Sequence, residues 1–293
     1  MKRLLLVDFY ALFHRSRNAL LRATRELSTS DGRPTTGTYG FTNNLISVIT
    51  SYEPTHTVVC YDAGGNWRKE EDVSYKANRV AGPDHDTFRE EAAAVLDDIL
   101  PALGIPAVGI RGYEADDSIF TLARDAIDFD EVLILTCDQD ILQCVSEKVK
   151  VILFNSAKKV QVMGEKEVEE KWGIHPTELP LVKALCGDGA DNIAGIKGIG
   201  PKTAAKIVNE CGGAWTRVLT HPKVQPFSEK ATANLRLVAS TYVSELQDVN
   251  FDEFLLGNST VRDLERTFTS YEFSALMKRS AKISKTLKLK AND

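Results

Sequence analysis

The stretch Val132-Leu133-Ile134-Leu135-Thr136, running into Cys137-Asp138-Gln139-Asp140, decides the fold. A run this short, all apolar or β-branched, reads as a strand covered on both faces. Three other runs follow the same plan. Leu4-Leu5-Leu6-Val7 runs into Asp8, and Thr57-Val58-Val59-Cys60-Tyr61 runs into Asp62. Ile105 to Ile110 precedes Glu114, Asp116 and Asp117. Helical patterns lie between the runs, including Thr35 to Tyr52 and Asp84 to Leu103, the latter closing at Gly104. This alternation predicts an α/β fold with a mostly parallel central sheet flanked by helices. A parallel sheet gathers its strand C-termini at one edge, where open α/β sheets place their sites. Seven carboxylates would meet there. They cannot all ionise close together without a compensating cation, and hard oxygen ligands suit Mg²⁺ or Mn²⁺.

With 293 residues, 43% hydrophobic and 26% charged, the composition is that of a soluble globular protein of one large domain, or one plus a smaller one. No apolar run reaches the length of a membrane span, and the first residues lack a signal-peptide core. We therefore expect a cytoplasmic protein with no membrane partner. The five cysteines are scattered and form no CxxC pair, which argues against a zinc site and a disulfide framework. The net charge of −5 alone argues against a nucleic-acid partner. Two bound divalent ions would offset four of those charges and leave the basic residues free to face DNA. The tail from Lys278 to Lys290 carries six Lys or Arg and no acid, and reads first as a solvated or frayed terminus.

Residues 1–165 are expected to form the α/β core and residues 166–293 a helical region. Within the core, residues 64–83 are polar and turn-rich and interrupt the alternation just after an acidic strand end, where functional loops lie. Val149 to Phe154 and Lys159 to Met163 fit a terminal hairpin. Beyond about Glu165, apolar periodicity marks helices in 178–186, 203–211, 231–246 and 261–277.

Several motifs carry chemistry. In Gly112-Tyr113-Glu114-Ala115-Asp116-Asp117, acids opening a helix are ordinarily partners for its dipole and free N–H groups. Three together at the edge that holds Asp8 and Asp62 point to metal instead. Asp138 and Asp140, two residues apart in a turn, can converge on one cation. Gly198-Ile199-Gly200-Pro201-Lys202-Thr203 is a tight turn opening a helix whose free N–H groups can hold a phosphate. With its flanks, about 183–208, it is a helix-hairpin-helix, which grips a nucleic-acid backbone without reading sequence. Asp188 and Asp191 lie just upstream. In Tyr75-Lys76-Ala77-Asn78-Arg79, the two basic residues can neutralise a scissile phosphate while Tyr75 stacks on a base. His14-Arg15-Ser16-Arg17 is a weaker candidate of the same kind.

These strings, GYEADD at 112–117, LTCDQD at 135–140, YKANR at 75–79 and ALCGDGADNIAGIKGIGPKTA at 184–204, resemble the 5′-nuclease family. That family comprises the 5′→3′ exonuclease domain of DNA polymerase I, phage 5′-exonucleases and flap endonucleases. The resemblance implies a PIN-like core and a two-Mg²⁺ phosphodiester hydrolase, in which Mn²⁺ can substitute. It implies action on DNA 5′ ends and 5′ flaps in replication or repair. By position, Asp8, Asp62, Glu114 and Asp116 look like ligands of a first ion. Asp117, Asp138, Asp140 and Asp191 look like those of a second, with Asp188 nearby. Lys76 and Arg79 match the arch over the 5′ strand, and Arg15 a position near the scissile phosphate. Tyr75, Lys183, Gly198, Gly200, Lys202, Thr203 and Lys206 fall to DNA binding, and the hairpin can hold K⁺. A monomer with a possible replicative polymerase partner is expected. Phe9 stands where the family usually has Gly, which predicts an altered approach of the DNA backbone. The competing readings are a non-catalytic branched-DNA binder, a metal-dependent ribonuclease and a phosphoaspartate phosphotransferase.

Overall fold

The computed structural model describes residues 1–23, 26–79, 82–156 and 159–291. Its centre is a six-stranded sheet in the order β3-β2-β1-β4-β5-β6. β1 (Arg3–Asp8) lies between β2 (His56–Cys60) and β4 (Glu131–Thr136), parallel to both. β3 (Ala107–Val108) and β5 (Val149–Ser156) extend the parallel set, and β6 (Lys159–Met163) closes the edge antiparallel to β5. The expected hairpin at 149–163 is this pair.

Alternation along β1 sorts its side chains between two cores, as the two-residue period of a strand requires. Leu4 and Leu6 face α6 (Ala115–Asp125) and the helical half, while Leu5 and Val7 face α1 (Phe9–Ala23) and α2 (Thr36–Tyr52). Both faces are covered, which is why these strands read as unbroken apolar runs.

Three expectations change in detail. The third strand is two residues long instead of spanning 105–110. Pro106 has no N–H to give a ladder, and a Cβ on Gly109 would stand 2.6 Å from the Tyr61 ring. The helix expected over 84–103 is interrupted: α4 (His85–Ala94) passes through a π-turn at Val95–Ile99 into α5 (Leu100–Leu103). Pro101 lacks the N–H that would continue the ladder, and the widened turn before it absorbs that loss. Of the expected arch at 64–83, α3 (Trp67–Glu71) is helical and the chain then runs through turns to Asn78. Lys76 has φ +54°, so Lys76 and Arg79 are joined by a turn and not by a helix face. Residues 80 and 81 of that segment lie outside the described residues.

The helical half contains α7 (Glu165–Trp172), α8 (Leu179–Cys186), the small hairpin β7 (Gly187–Asp188) and β8 (Ile193–Ala194), α9 (Pro201–Glu210), α10 (Trp215–Thr220) and α11 (Ser228–Val238). The periodicity over 231–246 ends as helix at Val238, and only a short 3₁₀ turn at Ser244–Leu246 follows.

The chain then returns to the α/β core. In α12 (Val261–Ser270), α13 (Ser274–Met277) and α14 (Ser280–Leu287), the side chains of Leu264, Phe268, Leu276, Ile283 and Leu287 are buried in the same cluster as Phe41 and Leu45 of α2. A unit running from 166 to 293 therefore does not describe the packing. Nor is the basic tail frayed: α14 is docked through Ile283 and Leu287, while Lys278, Arg279, Lys282 and Lys285 stay exposed. No helix among the described residues is long and apolar enough to cross a membrane.

Candidate active site

The C-terminal edge of the sheet opens into a cavity of about 1120 Å³. Asp8, Asp62, Glu114, Asp116, Asp138 and Asp140 line it, together with Arg15, Lys76 and Arg79. Each acid has a local reason for its place. Asp8 ends β1, its carboxylate accepting from the Thr136 hydroxyl at 2.7 Å and the Ala11 N–H at 3.2 Å. Asp62 follows β2 and accepts from the Ala115 N–H at 2.7 Å, which ties it to the start of α6. Glu114 is the N-cap of α6 and forms a capping box with Asp117. Asp138 takes the Asp140 N–H at 2.9 Å in the turn after β4.

Crowding shows in the ionisation of these groups. Burial pushes the Asp8 carboxyl up to about 7, against its hydrogen bonds. Burial and then the Asp138 charge push Asp140 up to about 8. Asp116 is raised well above the usual range by burial and by the charge of Asp117. Burial acts on Glu114 in the same direction, but Lys76, the Tyr75 hydroxyl and Arg68 together outweigh it and hold the group low. Asp116 Oδ1 is buried with no hydrogen-bond partner among the described residues. An orphaned carboxylate oxygen among acids that resist ionisation fits a hard divalent cation. Among the described residues no three acids already close on a single ion position. Lysines stand between them. Lys76 pairs with Glu114 and lies 3.7 Å from Asp191, and Lys183 pairs with Asp140 and lies 2.7 Å from Asp188.

Three expectations are corrected by this geometry. Asp117 does not line the cavity: it is fully buried and its two oxygens are held by the Arg68 guanidinium at 2.7 and 2.8 Å. Tyr75 cannot stack on a base, because its ring is 2% exposed. Its hydroxyl lies 2.8 Å from Glu114 Oε2 and 2.9 Å from Asp191 Oδ2, bridging the two acids. Lys183 is paired with Asp140 and Asp188, as Lys76 is with Glu114 and Asp191. Phe9 points into the core against Phe13 and Phe41, away from the cleft, where Tyr10 is the residue exposed to the cavity.

Asp188 and Asp191 lie beside the cavity and not on its wall. Asp188 meets Lys183, and Asp191 accepts from Arg79 at 2.8 Å. The helix-hairpin-helix takes the expected form. Gly198 has φ +85°, Gly200 is the N-cap of α9, and Pro201 occupies its first turn. Lys202 and Lys206 are exposed on α9 and Thr203 is half-buried.

The sequence reading missed Arg68, which is 1% exposed, and the buried pair of Arg17 with Glu91 at 2.5 Å. Arg68 lies in a polar run, Asn66 to Asp72, that carries no periodicity to mark one member as buried. His14, named only within the His14–Arg17 string, stacks on Phe88 at 4.2 Å and lines the cavity.

The class of protein follows from this layout: an acidic sheet edge, a basic segment across it and a helix-hairpin-helix beside it define a nuclease. Solved structures share the fold, among them the bacteriophage T5 D15 protein crystallised with metal ions (TM-score 0.67, 20% identical, covering 98% of this chain and 100% of that one). Flap endonuclease-1 from Methanococcus jannaschii is another (TM-score 0.61, 18% identical, 98% and 93% covered). The model for the 5′-3′ exonuclease N-terminal resolvase-like domain matches residues 3–173, and that for the 5′-3′ exonuclease C-terminal SAM fold matches residues 174–247. A 5′-3′ exonuclease of Aquifex aeolicus is 32% identical over 97% of this chain and 96% of its own length. One of Bacillus subtilis is 38% identical over 71% and 70%. The chain belongs to the 5′-3′ exonuclease family. It also matches 22% of the length of the DNA polymerase I of Treponema pallidum, at 35% identity.

Proposed function

We propose that the chain is a metal-dependent 5′→3′ exonuclease and flap endonuclease that hydrolyses DNA phosphodiester bonds in replication or repair. The observation that carries this reading is the orphaned Asp116 Oδ1 among carboxylates whose ionisation is suppressed. Asp8, Asp62, Glu114 and Asp116 would hold one Mg²⁺. Asp138, Asp140 and Asp191, with Asp188 near, would hold a second. When bound, the pair supplies an activated water and charge stabilisation of the leaving oxygen.

The remaining roles belong to side chains. Lys76 and Arg79, freed from Glu114 and Asp191, offset charge on the phosphate. Arg15 contacts the strand on the α1 side of the cavity. Lys202, Lys206 and Thr203 on α9 grip the backbone of the duplex, and the Gly198–Gly200 turn takes a K⁺ ion at that contact. The polymerase relatives support work beside a replicative polymerase. In this reading the protein acts as a cytoplasmic monomer.

The test is cleavage of a 5′-labelled flap duplex with Mg²⁺, beside an EDTA control and Asp116→Ala. Cutting near the junction that needs Mg²⁺ and is lost in the variant, with DNA binding retained, is the expected result. Tight binding without cutting in either Mg²⁺ or Mn²⁺ would make the protein a branched-DNA binder.

A further inference from the structure

Arg68 uses its whole guanidinium inside the protein. Nη1 donates to Asp117 Oδ2 at 2.7 Å and reaches Glu114 Oε2 at 3.4 Å. Nη2 donates to Asp117 Oδ1 at 2.8 Å and to the Ala239 carbonyl at 2.9 Å. Nε donates to the Leu237 carbonyl at 2.9 Å. One buried side chain thus joins the first helix of the arch, the N-terminus of α6 and the chain leaving α11 in the helical half. Asp117 completes the junction, accepting also from the Thr241 N–H at 2.7 Å and from the Glu114 N–H at 3.4 Å.

Glu114 and Asp116, which face the cavity, flank this junction in sequence, and Asp117 follows Asp116 directly. If Asp117 were free to turn, the first turn of α6 would lose its capping box, and Glu114 and Asp116 with it their aim. If Asp117 lost its counter-charge, a buried anion would stand unpaired beside Asp116. Fork geometry matters here, because a bidentate guanidinium fixes both oxygens of a carboxylate and an ammonium fixes one point.

We propose that Arg68 is a positioning residue that acts through Asp117 to aim Glu114 and Asp116 at the divalent ion. It touches neither substrate nor ion. Its anchors on the Leu237 and Ala239 carbonyls tie the aim of those acids to the placement of the helical half. This inference rests on the metal-dependent reading above.

The experiment is Mn²⁺ binding to the full chain without DNA, by titration calorimetry, with thermal unfolding in EDTA as the measure of folding. The variants are Arg68→Lys, Arg68→Met, Asp117→Asn and the double variant Arg68→Lys/Asp117→Asn. Arg68→Lys keeps the charge and loses the fork, so it should fold and bind Mn²⁺ about 10- to 100-fold more weakly, the usual effect of losing an outer partner of a metal ligand. Asp117→Asn should lose a similar factor, and the double variant no more than the larger single loss, because the two residues act as one unit. The Mg²⁺ needed for half-maximal cleavage should rise by the same factor.

Wild-type Mn²⁺ affinity in folded Arg68→Lys would overturn the proposal, whatever its unfolding temperature. So would additive losses, or an Asp117→Asn variant that binds no Mn²⁺ while Arg68→Lys binds normally, since Asp117 would then be a ligand itself. Arg68→Met removes the charge as well and should bind no better than Arg68→Lys; tighter binding would count against the fork. Failure of the unmodified chain to bind Mn²⁺ at all would instead sink the metal-dependent reading.

Discussion

The Tyr75 hydroxyl stands 2.8 Å from Glu114, at the point where the arch meets the acidic edge of the sheet. Asp191 is 2.9 Å from the same oxygen, and one phenolic proton cannot serve both acids at once. Burial and those two charges raise the phenol, so it stays protonated and remains a donor. Tyr75→Phe keeps the ring and removes the hydroxyl between the acids, leaving Lys76 as a group they still share. It should cost about 1–3 kcal/mol of stability, the range for a buried polar partner lost. Urea unfolding measures it. Affinity for single-stranded DNA should be unchanged, because the ring is already buried; a loss there would restore the base-stacking role.

Divalent ions should stabilise the fold itself. Asp8 and Asp140 are raised because their charged forms are buried near other acids, and a bound cation relieves that cost. Ligand linkage sets the size: at an ion concentration about 100 times Kd, the gain is roughly 2.7 kcal/mol. Thermal unfolding in EDTA and then in Mg²⁺ should show a rise that Asp116→Ala reduces. An equal rise in the variant would place the ions elsewhere.

The turn that leads into the helix-hairpin-helix depends on close backbone approach. A Cβ on Gly195 would stand 2.1 Å from the Cys186 carbonyl oxygen, while a Cβ on Gly189 meets nothing within 4 Å. Gly195→Ala should therefore destabilise the protein by on the order of 3 kcal/mol, at the upper end of overpacking costs. Gly189→Ala should be near neutral. Comparable unfolding midpoints for the two would show that the backbone relaxes at no cost.

These cases show how far the sequence could be read. Strand ends and their acids were legible, because a buried parallel strand leaves an apolar run and the next residue must sit at the edge. Gly198 and Pro201 were legible because a positive φ and a helix start each restrict residue type. Asp117 and Tyr75 were misread for the opposite reason. Their partners, Arg68 at a sequence distance of 49 and Asp191 at 116, are set by tertiary packing that no local pattern records. The pairing of Lys183 with Asp140 and Asp188 was not legible either, since it depends on how α8 is set against the turn after β4.

Long-range packing also decides the last prediction. Phe268 lies in α12, within the region expected to be a separate helical part, yet it is fully buried in the cluster that contains Phe41 and Leu45. Its ring stands 6.1 Å from that of Phe273. Removing so large a side chain from a core costs about 3–5 kcal/mol, the transfer loss plus the cavity left behind. If α12 belongs to the α/β core, Phe268→Ala should lower the unfolding midpoint of the whole chain in one transition. It should also speed hydrogen exchange in α2 and leave α9 no more exposed than the rest of the chain. Loss confined to residues beyond 247, with α2 protected as before, would mean that the terminal helices dock on a core that is stable without them.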